Sequence, residues 1–277
     1  MKSTVFVMPG SQYSAKVIVA LDSRKIDHYV SFVDWNPKTR TLPSGNKMVP
    51  ELLVEYNDDD GKEPMILADS DAILQWFDKT LDTKFFPSDE IREWTRRASD
   101  GFLAGAVLYY NWVHPVGYQR TMQKAIAQWT LPSMMPSFLG MPLIDWYSSA
   151  DRKRFESKAA AMMNLTGEIL KPKEIRTKLI DELKAFQNLL SSPDNNEKED
   201  SKYLMMTGSQ EPTALDFSVY VMIERLVGKS MGDIPLDASI PEFRVETSEE
   251  LAALWRWYDA MRQNHPIRFK GKRPPRL

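Results

Sequence analysis

The 277 residues carry 36 Lys and Arg against 38 Asp and Glu, a formal net charge of -2, so no global field draws the chain to nucleic acid or to an anionic membrane surface. There is no cysteine, which excludes disulfides, cysteine metal clusters and a thiol nucleophile belonging to the protein itself. With 43% hydrophobic and 27% charged residues, the composition is that of an ordinary globular protein, and the length suits two domains.

Met1 to Met8 lacks the basic flank and long apolar run of a secretory leader, and Val5 to Met8 reads as a strand. Tyr13 to Arg24 follows with helical spacing at Val17, Ala20 and Leu21, and Tyr29 to Val33 returns to strand. A strand, helix, strand unit of this length suits a parallel crossover. Leu52 to Val54 and Met65 to Leu67, separated by turn residues at 57–61, read as an antiparallel hairpin. A helix capped by Ser70 closes the unit, with Ile73, Leu74, Phe77 and Leu81 as its buried face.

Past Phe86-Pro87-Ser88 the strand signals cease. Trp94, Ala98, Phe102, Ala106, Tyr110 and Val113 fall on one helical stripe, and Ile175, Leu179, Leu183, Phe186 and Leu190 on another. Thr213 to Val227 and Ser248 to Met261 predict two more helices, the latter with Leu251, Leu254, Trp255 and Tyr258 inward. Pro193 to Lys202 reads as a solvated loop, and the basic stretch Arg268 to Arg276 as a solvated end. Leu131 to Pro142 holds three prolines among Met, Phe and Leu and reads as a packed irregular connection, the alternative being an apolar lid or partner patch. The longest nearly uncharged apolar stretch, Gly101 to Tyr110, is well short of the ~20 residues that cross a bilayer. The expectation is therefore a soluble, cytoplasmic protein with a small mixed-sheet domain over 1–83 and an all-helical domain over 88–277.

Four local patterns carry chemistry or support it. Ser11-Gln12-Tyr13-Ser14-Ala15-Lys16-Val17 follows Met8-Pro9-Gly10 at the first strand-to-helix turn, where unpaired N–H groups and a partial positive charge favour an anion. Ser11 there suits a plain helix cap as well. Met48-Val49-Pro50 precedes the strand at Glu51, a common place for a trans proline. Leu67-Ala68-Asp69-Ser70-Asp71-Ala72-Ile73-Leu74 sets a serine and helix N–H groups, fit for a carboxylate, beside an aspartate fit for an ammonium; alone it is a capping-box variant. Pro212-Thr213-Ala214-Leu215-Asp216-Phe217 reads as a capping box between Thr213 and Asp216, whose loss would cost ~0.5 to 2 kcal/mol.

Taken together and in this order, the four patterns resemble the glutathione transferase superfamily, and the Ser11 turn is similar to the serine-type turn of its theta and zeta members. The resemblance implies a thioredoxin-like α/β amino-terminal domain followed by an all-α carboxy-terminal domain. It implies that Ser11 acts on the sulfur of glutathione, that Pro50 is cis and Val49 pairs through its main chain with the cysteinyl part, and that Asp69 and Ser70 hold the γ-glutamyl group. Glutathione would then be a co-substrate, its thiol activated for conjugation to an apolar electrophile, with no metal and with a homodimer admitted. Tyr13, Tyr109, Tyr110 and Trp112, with Met122, are candidates for the electrophile pocket, and ordinary core packing is an equal reading of each. Tyr13 is also a substitute hydroxyl for Ser11.

A more distant likeness is to the membrane-associated prostaglandin E synthase family, whose Cys-x-x-Cys is replaced here by Ser11 and Ser14. There are three departures from the family pattern, the second and third of which keep open a non-catalytic scaffold of the same fold. No glycine follows the first helix at 23–27, Met48 stands where a polar glutathione contact is frequent, and the second domain is long. His28, His114 and His265 lack carboxylates at zinc-motif spacing, and G-x-S-x-G is absent, so neither a metal site nor a hydrolase triad is expected.

Overall fold

The computed structural model describes residues 1–8, 10–34, 40–56, 61–124, 126, 137–167, 170–190, 211–228 and 237–269. The solvated loop expected at 193–202 and most of the basic tail lie outside them. The chain opens with β1 (Lys2–Val7), α1 (Gln12–Ser23) and β2 (Tyr29–Phe32), and continues with β3 (Glu51–Glu55), β4 (Met65–Ala68) and α2 (Ser70–Leu81). The sheet order is β2-β1-β3-β4, with β2 parallel to β1 and the other neighbours antiparallel. This is the thioredoxin-like arrangement expected from the sequence.

Alternation decides which face of the sheet is buried. Val5 and Val7 on β1 and Leu52 and Val54 on β3 are fully buried, together with Ile73, Leu74 and Phe77 of α2. Two expectations for α2 need correcting. Its N-cap is Asp69 rather than Ser70, because the Asp69 carboxylate accepts the Asp71 and Ala72 N–H groups at 2.8 and 3.2 Å, and Ser70 is the first helical residue. Leu81 is 47% exposed instead of buried, since the helix ends there and Asp82 turns the chain away in a left-handed conformation.

The helical part begins with α3 (Asp89–Asp100) and α4 (Phe102–Leu108), then two π-helical turns, Tyr109–Val113 and Gln119–Gln123, flanking α5 (Pro115–Tyr118). The single stripe expected from Trp94 to Val113 is thus broken at Gly101, which ends one helix and starts the next in extended conformation. Gly117 faces the Tyr110 carbonyl so closely that a Cβ would lie 2.0 Å from that oxygen, so only glycine lets α5 fold back on the first π turn. The chain continues through α6 (Ser137–Met162), α7 (Pro172–Gln187), α8 (Ala214–Val227), α9 (Glu242–Glu246) and α10 (Ala252–Asn264). Residues 137–142 are helical and include Pro142 inside α6, which corrects the irregular connection expected there; 131–136 lie outside the described residues.

α8 is buried from Ala214 to Leu226 and forms the axle of the molecule. Both α1 and α3 pack against it, so one core runs from the sheet into the helices. Its start carries the expected capping box: Asp216 accepts the Thr213 N–H at 2.8 Å and the Thr213 hydroxyl at 2.9 Å. The connection between the two parts is fixed by Asp78, which takes the Phe85 and Phe86 N–H groups at 2.7 and 2.8 Å. Arg24 at the end of α1 adds hydrogen bonds to the Thr83 and Pro212 carbonyls and an ion pair with Glu211. Among the described residues, no helix is long and apolar enough to cross a membrane.

Candidate functional site

Strand register gathers the first three patterns at one end of the sheet. Phe6 pairs with Glu51, and Glu51 pairs with Ala68. The segments leaving β1, entering β3 and leaving β4 therefore lie side by side, neighbouring strands being about 4.8 Å apart. Ser11, Val49, Pro50, Asp69 and Ser70 belong to those segments.

At the first of them Gly10 has φ 86°, a left-handed value natural to glycine, and Ser11 stands at the N-cap of α1. The Ser11 N–H donates to the Met8 carbonyl at 3.0 Å, the Met8 N–H donates to the Ser14 hydroxyl at 3.3 Å, and the Ser11 hydroxyl accepts the Ser14 N–H at 3.3 Å. Capping uses an acceptor lone pair of Ser11 and leaves its O–H proton to be donated elsewhere, so capping and donation to an anion are compatible. The first turn of α1 contains no acidic residue to oppose an incoming negative charge. Ser11 is 7% exposed.

At the second segment the Val49–Pro50 peptide is cis. The loop before it is pinned from both sides. The buried Arg40 donates to the Asp34 and Lys47 carbonyls and to the Met8 sulfur, and the buried Glu51 accepts the backbone N–H and the hydroxyl of Ser44. Met48 is 58% exposed. At the third segment Asp69 has φ 81° and ψ 136°, far from the ordinary strand or helix values, while its carboxylate caps α2 and Ser70 is buried.

Three further charged or polar groups meet here through tertiary contacts that sequence spacing does not reveal. Lys16, fully buried on α1, donates to Asp71 and to the Ser99 hydroxyl. Asp100 lies close enough to Asp71 and Asp69 that partial desolvation first, and then those two carboxylates, push its carboxyl above the usual aspartate range. Lys16 is visible as the lone charge of the Ser11 heptapeptide, which is the one local signal.

Tyr13 is tied to the same contact. Its hydroxyl donates to the Ser99 carbonyl at 2.9 Å, and burial, with Asp100, Asp69 and Asp71, raises its pKa, so it stays a phenol. Tyr109, Tyr110 and Trp112 sit in the first π turn. Tyr109 and Tyr110 meet edge to face at 5.2 Å, both adjoin the His114 ring, and Trp112 stacks on Phe155 at 4.3 Å. Burial pushes the Tyr110 pKa up to about 12. Met122 accepts from the buried Arg225 at 3.7 Å. These ring contacts all run within the helical part.

His28 and His114 bond backbone groups through Nδ1, and His265 packs edge-on to Phe217. Among the described residues, no group of three His, Asp or Glu side chains could hold a metal ion.

Residues 5–84 match the glutathione S-transferase N-terminal domain family. No curated protein matches the chain. Similar solved structures include the glutathione transferase URE2P6 from Phanerochaete chrysosporium in complex with oxidised glutathione, at 14% identity and a TM-score of 0.51 over 96% of this chain and 92% of that one. A glutathione transferase family member from Pseudomonas fluorescens with two glutathione bound has 13% identity and a TM-score of 0.52 over 95% and 88%. The beta-etherase LigF from Sphingobium has 16% identity and a TM-score of 0.53 over 95% of each chain. The match to the glutathione S-transferase N-terminal domain family is thus confined to residues 5–84, and the chain as a whole has the glutathione transferase fold.

Proposed function

We propose that this chain binds glutathione across the end of its sheet and activates the thiol at the Ser11 turn for conjugation to an apolar electrophile. The observation that carries the reading is the register Phe6, Glu51, Ala68, which aligns Ser11, Val49-Pro50 and Asp69-Ser70 along one edge within a domain that matches the glutathione S-transferase N-terminal family. Two of the similar structures carry glutathione or its oxidised form, which supports the same ligand here.

In this reading Asp69 and Ser70 take the γ-glutamyl ammonium and carboxylate, and Val49 takes the cysteinyl part by its main chain. The Asp69 carboxylate keeps acceptor capacity beyond its two capping bonds, because an ionised carboxylate offers about four lone-pair sites. The sulfur lies at the start of α1. A free thiol has a pKa of about 8.5, and lowering it by about two units needs ~2.7 kcal/mol of preferential thiolate stabilisation. A charge-assisted hydrogen bond from the Ser11 hydroxyl, ~1.5 to 3 kcal/mol, and the helix terminus, ~0.3 to 1 kcal/mol, reach that scale. Tyr13 offers the electrophile its ring, since its hydroxyl is already donated, and Tyr109, Tyr110 and Trp112 supply apolar surface from the helical part. The chain works in the cytoplasm as a homodimer, divided at 1–83 and 88–277.

A second reading, a scaffold of the same fold without catalysis, is favoured by one observation, the exposed Met48 beside Val49 where a polar contact to the tripeptide would be useful. Thiolate absorbance titration of bound glutathione separates the two. Catalysis through Ser11 predicts a thiol pKa about two units below 8.5 in the wild-type complex and a return most of the way in Ser11→Ala. Identical thiol pKa values in the two proteins would remove Ser11 from its role.

A further inference from the structure

Lys16 is a charged side chain that the chemistry above leaves unused. It lies on α1 five residues past Ser11 with 1% of its side chain exposed, and a buried ammonium is costly unless paired and hydrogen-bonded. Its two partners come from different parts of the molecule. Asp71 stands in the first turn of α2, directly after Asp69-Ser70, and Ser99, whose hydroxyl is 3.1 Å from Nζ, stands in the last turn of α3. The hydrogen bonds then run in one direction into the helical part: the Ser99 hydroxyl donates to Ser218 at 3.3 Å, and the Ser218 hydroxyl donates to the Ala214 carbonyl at 2.7 Å. Both serines are buried.

Asp71 touches this ammonium, and Asp100 feels it together with Asp71 and Asp69, Lys158 being the other cation that bears on Asp100. Asp71 is already engaged by Lys16, whereas Asp69 keeps its place through the backbone N–H groups of α2.

We infer that Lys16 is a positioning residue for the ammonium subsite: held between Asp71 and Ser99, it fixes the first turn of α2 and with it the Asp69 carboxylate presented to the γ-glutamyl ammonium. The inference rests on the glutathione reading above and adds to it a specificity device that reaches into the helical part. It is distinct from a packing role because it concerns one group of the ligand.

Isothermal titration with glutathione and with glutarylcysteinylglycine, the same tripeptide without its amine, tests it. The informative variant is Lys16→Met with Asp71→Asn, which removes the tie without changing the local net charge or leaving a buried charge alone. The wild type should prefer glutathione by about tenfold, the scale of one charge-assisted hydrogen bond. The double variant should prefer it by less than about threefold, and Lys16→Arg should keep the preference. Full retention in the double variant overturns the inference and leaves the glutathione reading intact, whereas a wild type that binds neither peptide overturns both. If the double variant lacks a folding transition, Ser99→Ala decides. It preserves every charge and should lose about a third of a decade or more of the preference, and no loss counts against Lys16.

Discussion

Asp69 is the residue at which local preference and structure conflict most openly. A non-glycine residue at φ 81° and ψ 136° costs of order 1 to 3 kcal/mol, and the two capping bonds at 2.8 and 3.2 Å offset that cost. Strain of this kind persists where its surroundings over-determine it, here the junction of β4 with α2. Asp100 makes a related point through charge. Its carboxyl titrates above the ordinary aspartate value of 3.8, raised by partial desolvation, then by Asp71 and Asp69, and lowered by Lys16 and Lys158. The folded protein therefore holds that proton more tightly than the unfolded chain does. The resulting stabilisation is complete below the unfolded pKa and is lost as pH rises through the folded one. Asp100→Asn should accordingly raise the melting temperature near neutral pH and leave it almost unchanged in acid well below 3.8. Equal gains at both pH values would show that ionisation of Asp100 in its partly desolvated setting is not the cause.

At the scale of the element, α8 shows how a local motif gains weight from its surroundings. The capping box is readable in the sequence, yet Asp216 does more than cap. It is fully buried, and its second oxygen accepts the Trp257 indole N–H at 3.3 Å. Asp216→Ala would strand three buried donors and should cost about 3 kcal/mol by equilibrium unfolding, above the ~0.5 to 2 kcal/mol of an isolated cap. A loss under about 1 kcal/mol would mean that the indole and Thr213 find other partners. The same contrast explains what was legible. β1, β3, α1, α2, α7 and α10 were readable because most of their apolar positions are buried, β4 as a short apolar run although none of its residues is buried, and α8 from its capping box. The break at Gly101 and the first π turn were not, because the apolar stripe from Trp94 to Val113 continues across them, and it is the close fits of Gly101 against the Arg97 carbonyl and of Gly117 against the Tyr110 carbonyl that show where the helix must open. In the candidate site, Ser11, Val49-Pro50 and Asp69-Ser70 were legible as short motifs. The partners of Lys16 were not, since Asp71 and Ser99 lie 55 and 83 residues away.

At the scale of the whole molecule, the sheet and the helices share one core, and polar ties cross between them at Tyr13, Lys16, Arg24 and Asp78. A ligand seated at the sheet end would thus stabilise more than the segments it touches, because the Ser11 turn leads into α1 and α1 packs on α8. Thermal unfolding in increasing glutathione tests this most directly. Ligand at a hundredfold excess over its dissociation constant adds ~2.7 kcal/mol, which for a protein of this size raises the melting temperature by roughly 5 to 10 °C. The account predicts a single transition that climbs with the logarithm of glutathione concentration. A melting temperature that does not move in millimolar glutathione would contradict it.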